Sequence, residues 1–334
     1  MMNGTDVTIM QEGGFERQFS RPLTIIAAVC AILFSVVGVL GNLVTVIALL
    51  KFARLRRNAT TAFVISLSIS DLIFAAVNLP LTASRYLHEA WILGDTLCQI
   101  FPVFFYGNVA VSLLSMVAIT LNRYVLISKP DVYPRIYTNR GITLMLIAIW
   151  VVSFSLLLPP LTGIWGRLGH DPGTFSCTIL KKNGKSPKKM LFIIGFIVPC
   201  VVITVSYLCI YWKVRESRKK LEAHAGPRRS TGFQKREDSR VTRLMLTIFL
   251  CFLLCFFPLM LVNVIEFKAP VVHVIGSILA WASSVVNPFI YAGTNKLYRE
   301  AYRQILCPIT STTNVPGARP TCSHSSKASA PQIQ

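Results

Sequence analysis

The chain has 334 residues, of which 53% are hydrophobic and only 14% charged, with a formal net charge of +20 and a mean hydropathy of +0.56. Soluble proteins carry about 25% charged residues, so this deficit together with long apolar runs excludes an ordinary soluble domain and implies a helical protein that crosses the membrane repeatedly. The basic residues concentrate in the connections between the apolar runs, and neither zinc-finger spacing nor a glycine-aromatic RNA-binding run occurs. The charge therefore argues for a membrane, not for nucleic acid.

Residues 1–20 form a polar leader, expected outside the cell, with a glycosylation sequon at Asn3-Gly4-Thr5. Seven apolar runs follow, near Leu23–Leu50, Thr61–Ala83, Cys98–Ile127, Ile142–Leu161, Met190–Trp212, Leu244–Ile265 and Val271–Ala292. Each is close to the ~20 residues that a helix needs to cross hydrocarbon. Pro80, Pro199, Pro258 and Pro288 interrupt four of them, and a proline there kinks the helix and frees a carbonyl. Alternating strands of the outer-membrane-barrel kind are not visible. The third run ends at Asn122-Arg123-Tyr124, which puts a guanidinium where hydrocarbon gives way to water. A charge there snorkels, finds a partner or is covered by another protein.

Between runs five and six, WKVRESRKKLEAH extends one helix and QKREDSRVTR leads into the next, with Gly226-Pro227 between them. Residues 21–294 are thus read as a seven-helix bundle. Residues 295–307 read as a short amphipathic eighth helix on the membrane surface, closed by Cys307, a candidate for acylation. The Ser/Thr/Pro-rich tail 308–334 is expected to be disordered. Most of the 34 Lys and Arg fall in connections that share one side with the tail, so the positive-inside rule places that side in the cytoplasm and the N-terminus outside. The basic connection between runs four and five, with Arg167, Lys181, Lys182, Lys185, Lys188 and Lys189, is the exception.

The polar residues inside the runs form an ordered set: Asn42 in GNLVTV, Asp71 in SLSISDL, Asn122-Arg123-Tyr124, Trp150, Pro199, Pro258 and Asn287-Pro288-Phe289-Ile290-Tyr291. With Cys98 and Cys177, this set resembles the rhodopsin-like G-protein-coupled receptors over about Arg21–Cys307. Within that family it is most similar to the insect group of Moody and trapped-in-endoderm receptors, which share the Asn-Arg-Tyr. The resemblance implies an all-α seven-helix fold in the plasma membrane and a receptor, not an enzyme. Heterotrimeric G proteins are the implied partners, driven by outward movement of helix 6, with arrestin and receptor kinases at the tail. It also implies a disulfide between Cys98 and Cys177. It makes Asp71, with Asn108, Ser112, Ser283 and Asn287, an inactive-state sodium pocket, against the alternative of a carboxyl group held by hydrogen bonds and water. It further gives switch roles to Asn122, Arg123, Tyr124, Tyr207, Asp238, Asn287, Pro288 and Tyr291. Most relatives carry an acid before the arginine. Asn122 cannot form that ion pair, so Asp238 is the expected remaining restraint, or else a solvated surface charge. Phe256 stands where the family usually has Trp, which removes an indole N–H.

Two ligand classes are argued against by position. A retinal receptor needs a lysine where Trp281 stands, and an amine receptor needs a carboxylate where Phe105 stands. The expected pocket is apolar: Phe101, Phe105, Tyr106, Val109, Phe256, Phe257 and Trp281, with Asn78 and Asn263 as polar handles. Under a basic outer loop, such a pocket suits an anionic lipid. A seven-helix transporter is the rival reading, but the halves show no internal repeat.

Overall fold

The computed structural model describes residues 19–56, 59–223, 232–265 and 269–306. Among them, seven helices are long and apolar enough to cross a membrane: α1 (Arg21–Lys51), α2 (Ala59–His88), α3 (Gly94–Ser128), α4 (Asn139–Leu161), α5 (Lys188–Glu216, helical on to Ala223), α6 (Gly232–Ile265) and α7 (Pro270–Thr294). An eighth, α8, covers Lys296–Leu306. A membrane offers the backbone no water, so each span satisfies its own N–H and C=O groups as a helix. Burial then separates the inner helices from the outer. Over the most apolar stretch of each span, 61% of α2 and α7 is buried within the protein but only 17% of α4. The apolar residues of α4 that remain exposed, Leu144 and Val151 among them, form a face suited to lipid.

Apolar packing is split along the bundle axis. One cluster, at the Arg123 end, contains Leu67, Val111, Met116, Ile203, Ile248 and Tyr291. Another contains Phe74, Ala75, Leu79, Tyr86, Val274 and Trp281. On α2 the break between them falls at Ser70 and Asp71, both buried. At Gly38 of α1, an added methyl would lie 2.8 Å from the Ala75 side chain. Only hydrogen fits between α1 and α2 at that crossing.

The prolines act differently in different helices. Ahead of Pro80, α2 winds through one wide π turn at Phe74–Asn78. Ahead of Pro199, α5 does the same at Ile193–Ile197. A proline ring clashes with the carbonyl four residues back. Those carbonyls, of Ala76 and Gly195, lie inside the widened turns, which make room for the ring. Pro102, Pro258 and Pro288 are carried within α3, α6 and α7.

Among the described residues, the helical bundle is supplemented by one small two-stranded sheet in a connection. The connection between α4 and α5 is a hairpin, β1 (Arg167–Asp171) antiparallel to β2 (Ser176–Leu180), with Asp171 opposite Ser176. Asp171 holds its turn by accepting from the Gly173 amide and the Thr174 hydroxyl, both at 3.1 Å. Phe175 follows with φ 52°. Cys177 of β2 is bonded to Cys98 of α3, with Cα atoms 5.1 Å apart, so the hairpin is tied over one end of the bundle. At the other end α8 buries Tyr298 and Ala301 against the bundle. Its first turn is capped by Asn295, whose side-chain oxygen accepts from the Leu297 amide at 2.9 Å.

Candidate functional site

At the Arg123 end, α3 buries both Asn122 and Arg123. The Asn122 amide does not act as a charge partner. Its oxygen accepts from Thr60 Oγ1 of α2 at 2.8 Å, and its Nδ2 donates to the Tyr133 hydroxyl at 3.2 Å. One side chain thus cross-links α2, α3 and the turn after α3, where Tyr133 and Tyr137 stack at 4.8 Å. Burial raises the Tyr137 phenol to about 12. Tyr124 is half-buried against the same apolar cluster. The Asp238 side chain, the expected restraint on Arg123, lies outside the described side chains, as do Asn3, Cys307 and the tail.

Tyr207 and Tyr291, to which the resemblance gives switch roles, are buried, and their hydroxyls have no hydrogen-bond partner among the described residues. Tyr291 instead shows a ladder that the sequence did not suggest. Its ring stacks on Tyr298 at 5.0 Å, Tyr298 meets Tyr302 edge-on at 6.4 Å, and the Tyr302 hydroxyl lies 2.7 Å from Thr45 Oγ1 of α1. The chain of rings links α7 through α8 to α1.

Halfway along the bundle is a polar centre. Asp71 accepts from Asn287 Nδ2 at 2.7 Å and Ser112 Oγ at 3.1 Å. Ser112 also lies 3.2 Å from Ser70, which donates to the Asn108 carbonyl at 2.8 Å. Asn108, Ser112, Ser283 and Asn287 line the same small cavity as Asp71. The expected five thus come together from α2, α3 and α7. The donor set is one carboxylate with hydroxyl and amide oxygens, all hard ligands of the kind an alkali or alkaline-earth cation takes. Phe256 closes the cavity from α6 and stacks on Phe252 at 4.5 Å. Around this centre, Asn42 donates to the Ser284 carbonyl at 2.8 Å, and Trp150 donates to Ser66 at 3.1 Å. These bonds tie α1 to α7 and α4 to α2.

Toward the hairpin, a cavity of about 350 Å³ opens between α3, α4, α5 and β2. Leu157, Ile179, Phe192, Phe196 and Met260 supply apolar wall, and Lys181, Lys188 and Lys189 stand on its rim. Of the nine residues expected to form a pocket, Tyr106 and Val109 line it, with the Tyr106 hydroxyl 3.1 Å from Thr178 Oγ1. Six of the others are elsewhere. Phe101 and Phe105 pack beside the disulfide with Trp91, Trp281 packs edge-on to Tyr86 at 5.9 Å, and Phe256 belongs to the polar centre. Phe257 is 50% exposed on the outer face of α6. It is one residue from Phe256, about 100° around the helix, and so cannot share its direction. Asn78 is fully buried, and the Asn263 side chain lies outside those described. The residues of α4 and α5 that do form the wall carry no sequence signal, because they sit in runs as apolar as any lipid-facing helix.

Comparison with known proteins accords with this arrangement. Residues 41–291 match the family described as 7 transmembrane receptor (rhodopsin family). The chain is 55% identical over 308 residues to protein trapped in endoderm-1 of Drosophila melanogaster, covering 86% of this chain and 79% of that protein. It is 35% identical over 349 residues to the G-protein coupled receptor moody of the same species, again over 86% of this chain, but spans only 52% of moody's length. Squid rhodopsin shares the fold, with a TM-score of 0.77 at 23% identity over 86% of this chain and 87% of that one. Seven spans, the tied hairpin and these likenesses together show that the chain belongs to the rhodopsin family of seven-transmembrane receptors.

Proposed function

We propose that the chain is a plasma-membrane receptor, with its N-terminus and hairpin outside, that converts an anionic amphiphile in the cavity beneath the hairpin into activation of a heterotrimeric G protein. The observation that carries this reading is the cavity itself: about 350 Å³ of mainly apolar wall with three lysines on its rim. An acyl chain is matched by the wall and an anionic headgroup by the lysines. The transporter alternative gains no support from the family. Receptor kinases and arrestin belong to the proposal through the Ser/Thr-rich tail.

The inner mouth would transmit the signal by outward movement of the inner half of α6, with Arg123 meeting the G protein. Asp71, Asn108, Ser112, Ser283 and Asn287 would hold a sodium ion in the inactive state, whose charge compensates the buried carboxylate. A second restraint is the Asn122 cross-link, which keeps α3 bound to α2 and to Tyr133.

The test is nucleotide exchange on purified G protein with the receptor in nanodiscs. A single-chain lysophosphatidate should stimulate exchange. Replacing Lys181, Lys188 and Lys189 by Gln should raise the half-effective concentration about tenfold or more, as expected if charge-assisted contacts of about 1.5–3 kcal/mol are lost. Unchanged potency in that variant would refute the assignment of the headgroup to the rim.

A further inference from the structure

One face of α2 carries Asn78, Thr82 and Arg85, spaced i, i+4 and i+7 and therefore stacked above one another. All three are at least nine-tenths buried. Both side-chain polar atoms of Asn78, Thr82 Oγ1 and Arg85 Nε are sealed from solvent without a hydrogen-bond partner among the described residues. Arg85 makes one polar contact, from Nη1 to the Thr174 carbonyl at 2.7 Å, and its guanidinium lies 4.3 Å from the centroid of the Tyr86 ring. No carboxylate forms an ion pair with it among the described residues.

Across from this column is His273 of α7, also with an unpartnered buried Nδ1. The charged groups within electrostatic reach of His273 are Arg85, Asp171 and Lys188. Asp171 is the acidic one, and both its oxygens are engaged in the hairpin turn, accepting from Gly173 and Thr174. The region therefore holds more positive charge and more donor groups than it satisfies. Buried polar groups in native proteins almost always have partners, and a buried guanidinium calls for an anion.

From this juxtaposition we infer that Asn78, Thr82, Arg85 and His273 form a binding site for an oxyanion, a carboxylate or a phosphate, between α2, α7 and the hairpin turn. The site is separate from the cavity lined by Lys181 and Lys189 and goes beyond the function proposed above. A guanidinium with Nε free offers a directional donor to such an anion, and the amide and hydroxyl below it supply further donors. Because the anion would bridge α2 and α7 under the hairpin, it fixes the outer ends of those helices relative to each other.

The experiment uses the full chain in phosphatidylcholine nanodiscs and reads the shift of thermal unfolding midpoint against added butyrate, inorganic phosphate and 1-oleoyl lysophosphatidate. At least one of the three should stabilise the wild-type protein. Stabilisation by butyrate or phosphate marks a free-anion site, and stabilisation by lysophosphatidate alone that persists in a Lys181→Gln/Lys189→Gln background marks a lipid headgroup site; either supports the inference. A response to lysophosphatidate alone that is lost in that background belongs to the other cavity and overturns this site. Arg85→Gln should weaken the apparent affinity for butyrate or phosphate at least tenfold; for lysophosphatidate, which the lysine-rimmed cavity also takes, the same comparison is made in a Lys181→Gln/Lys189→Gln background. Thr82→Asp places a carboxylate one turn below the guanidinium. It should raise the midpoint without ligand and abolish the response, which decides the matter even if Arg85→Gln does not fold. Absence of any shift in the wild type overturns the site. So does an Arg85→Gln or Thr82→Asp protein that titrates like the wild type.

Discussion

Replacing Asn122 tests how the inner mouth is held. Asn122→Ala removes the hydrogen bonds to Thr60 at 2.8 Å and to Tyr133 at 3.2 Å. A net hydrogen bond is worth about 1 ± 0.5 kcal/mol, so the pair contributes about 1–3 kcal/mol. If both bonds belong to the inactive state alone, losing about 2 kcal/mol shifts the equilibrium toward the active state by roughly 30-fold. Asn122→Asp should act in the opposite direction. Its carboxylate can accept from both Thr60 and Tyr133, and it adds a charge beside Arg123 in the same helical turn. Oppositely charged groups near 4 Å attract by about 4 kcal/mol at an effective dielectric of 20, before desolvation is subtracted. Basal nucleotide exchange on purified G protein, with receptor quantified by epitope tag, separates the two: Asn122→Ala well above wild type, Asn122→Asp below it. Equal basal rates in all three proteins would refute the claim that this cross-link restrains the receptor. A Tyr133→Phe protein provides an internal check, since it loses only the 3.2 Å bond and should fall between Asn122→Ala and wild type.

Three further outcomes follow from the geometry. Asp71→Asn should abolish the effect of sodium on agonist affinity; a dependence that survives in the variant would rule the proposed pocket out. Tyr302→Phe removes the contact with Thr45, worth about 1 kcal/mol, and should speed amide exchange across α8 about fivefold. The Tyr302 phenol is raised to about 12 by burial, against about 10 when unfolded. Its share of stability is therefore complete below about pH 10 and is lost as pH rises through about 12, so exchange from α8 should show no Tyr302-dependent change between pH 6 and 9. Gly38→Val places a methyl 2.8 Å from Ala75; such overpacking costs about 1–3 kcal/mol, read as a lower unfolding midpoint, and an unaltered midpoint would show that α1 can yield.

The spans were legible because hydrocarbon imposes one requirement on every helix, and apolar run length reports it directly. The polar centre was legible as well, since an intramembrane Asp, Asn or Ser is costly and therefore stands out. What escaped the sequence depends on relative rotation and depth. Phe256 and Phe257 are chemically identical, yet one closes the polar centre and the other faces outward. Thr60 and Tyr133, the partners of Asn122, are ordinary residues until α2 and the turn after α3 bring them together. The strand RLGHD shows no apolar alternation, and SCTIL, which buries Cys177 and Ile179 alternately, is too short to stand out beside the long apolar runs. Their pairing is supported by the bond from Cys177 to α3, by Asp171 at the turn and by the buried Cys177–Ile179 face, contacts that only the folded bundle supplies. Tyr298 and Tyr302 read as one stripe of an amphipathic helix, and only docking shows that the stripe continues the stacking from Tyr291.

The wide turn at Phe74–Asn78 has a consequence for how α2 can vary. It accommodates one residue more than a regular α-helix would in the same rise. Deleting a single residue there would restore even winding and leave everything beyond it close to its present direction. Asp71 on one side and Thr82, Arg85 and Tyr86 on the other would keep their neighbours, and the room made for the Pro80 ring would be lost. The widened turn thus buffers a one-residue change in length, so a chain one residue shorter there can present the same outer side chains above the same polar centre.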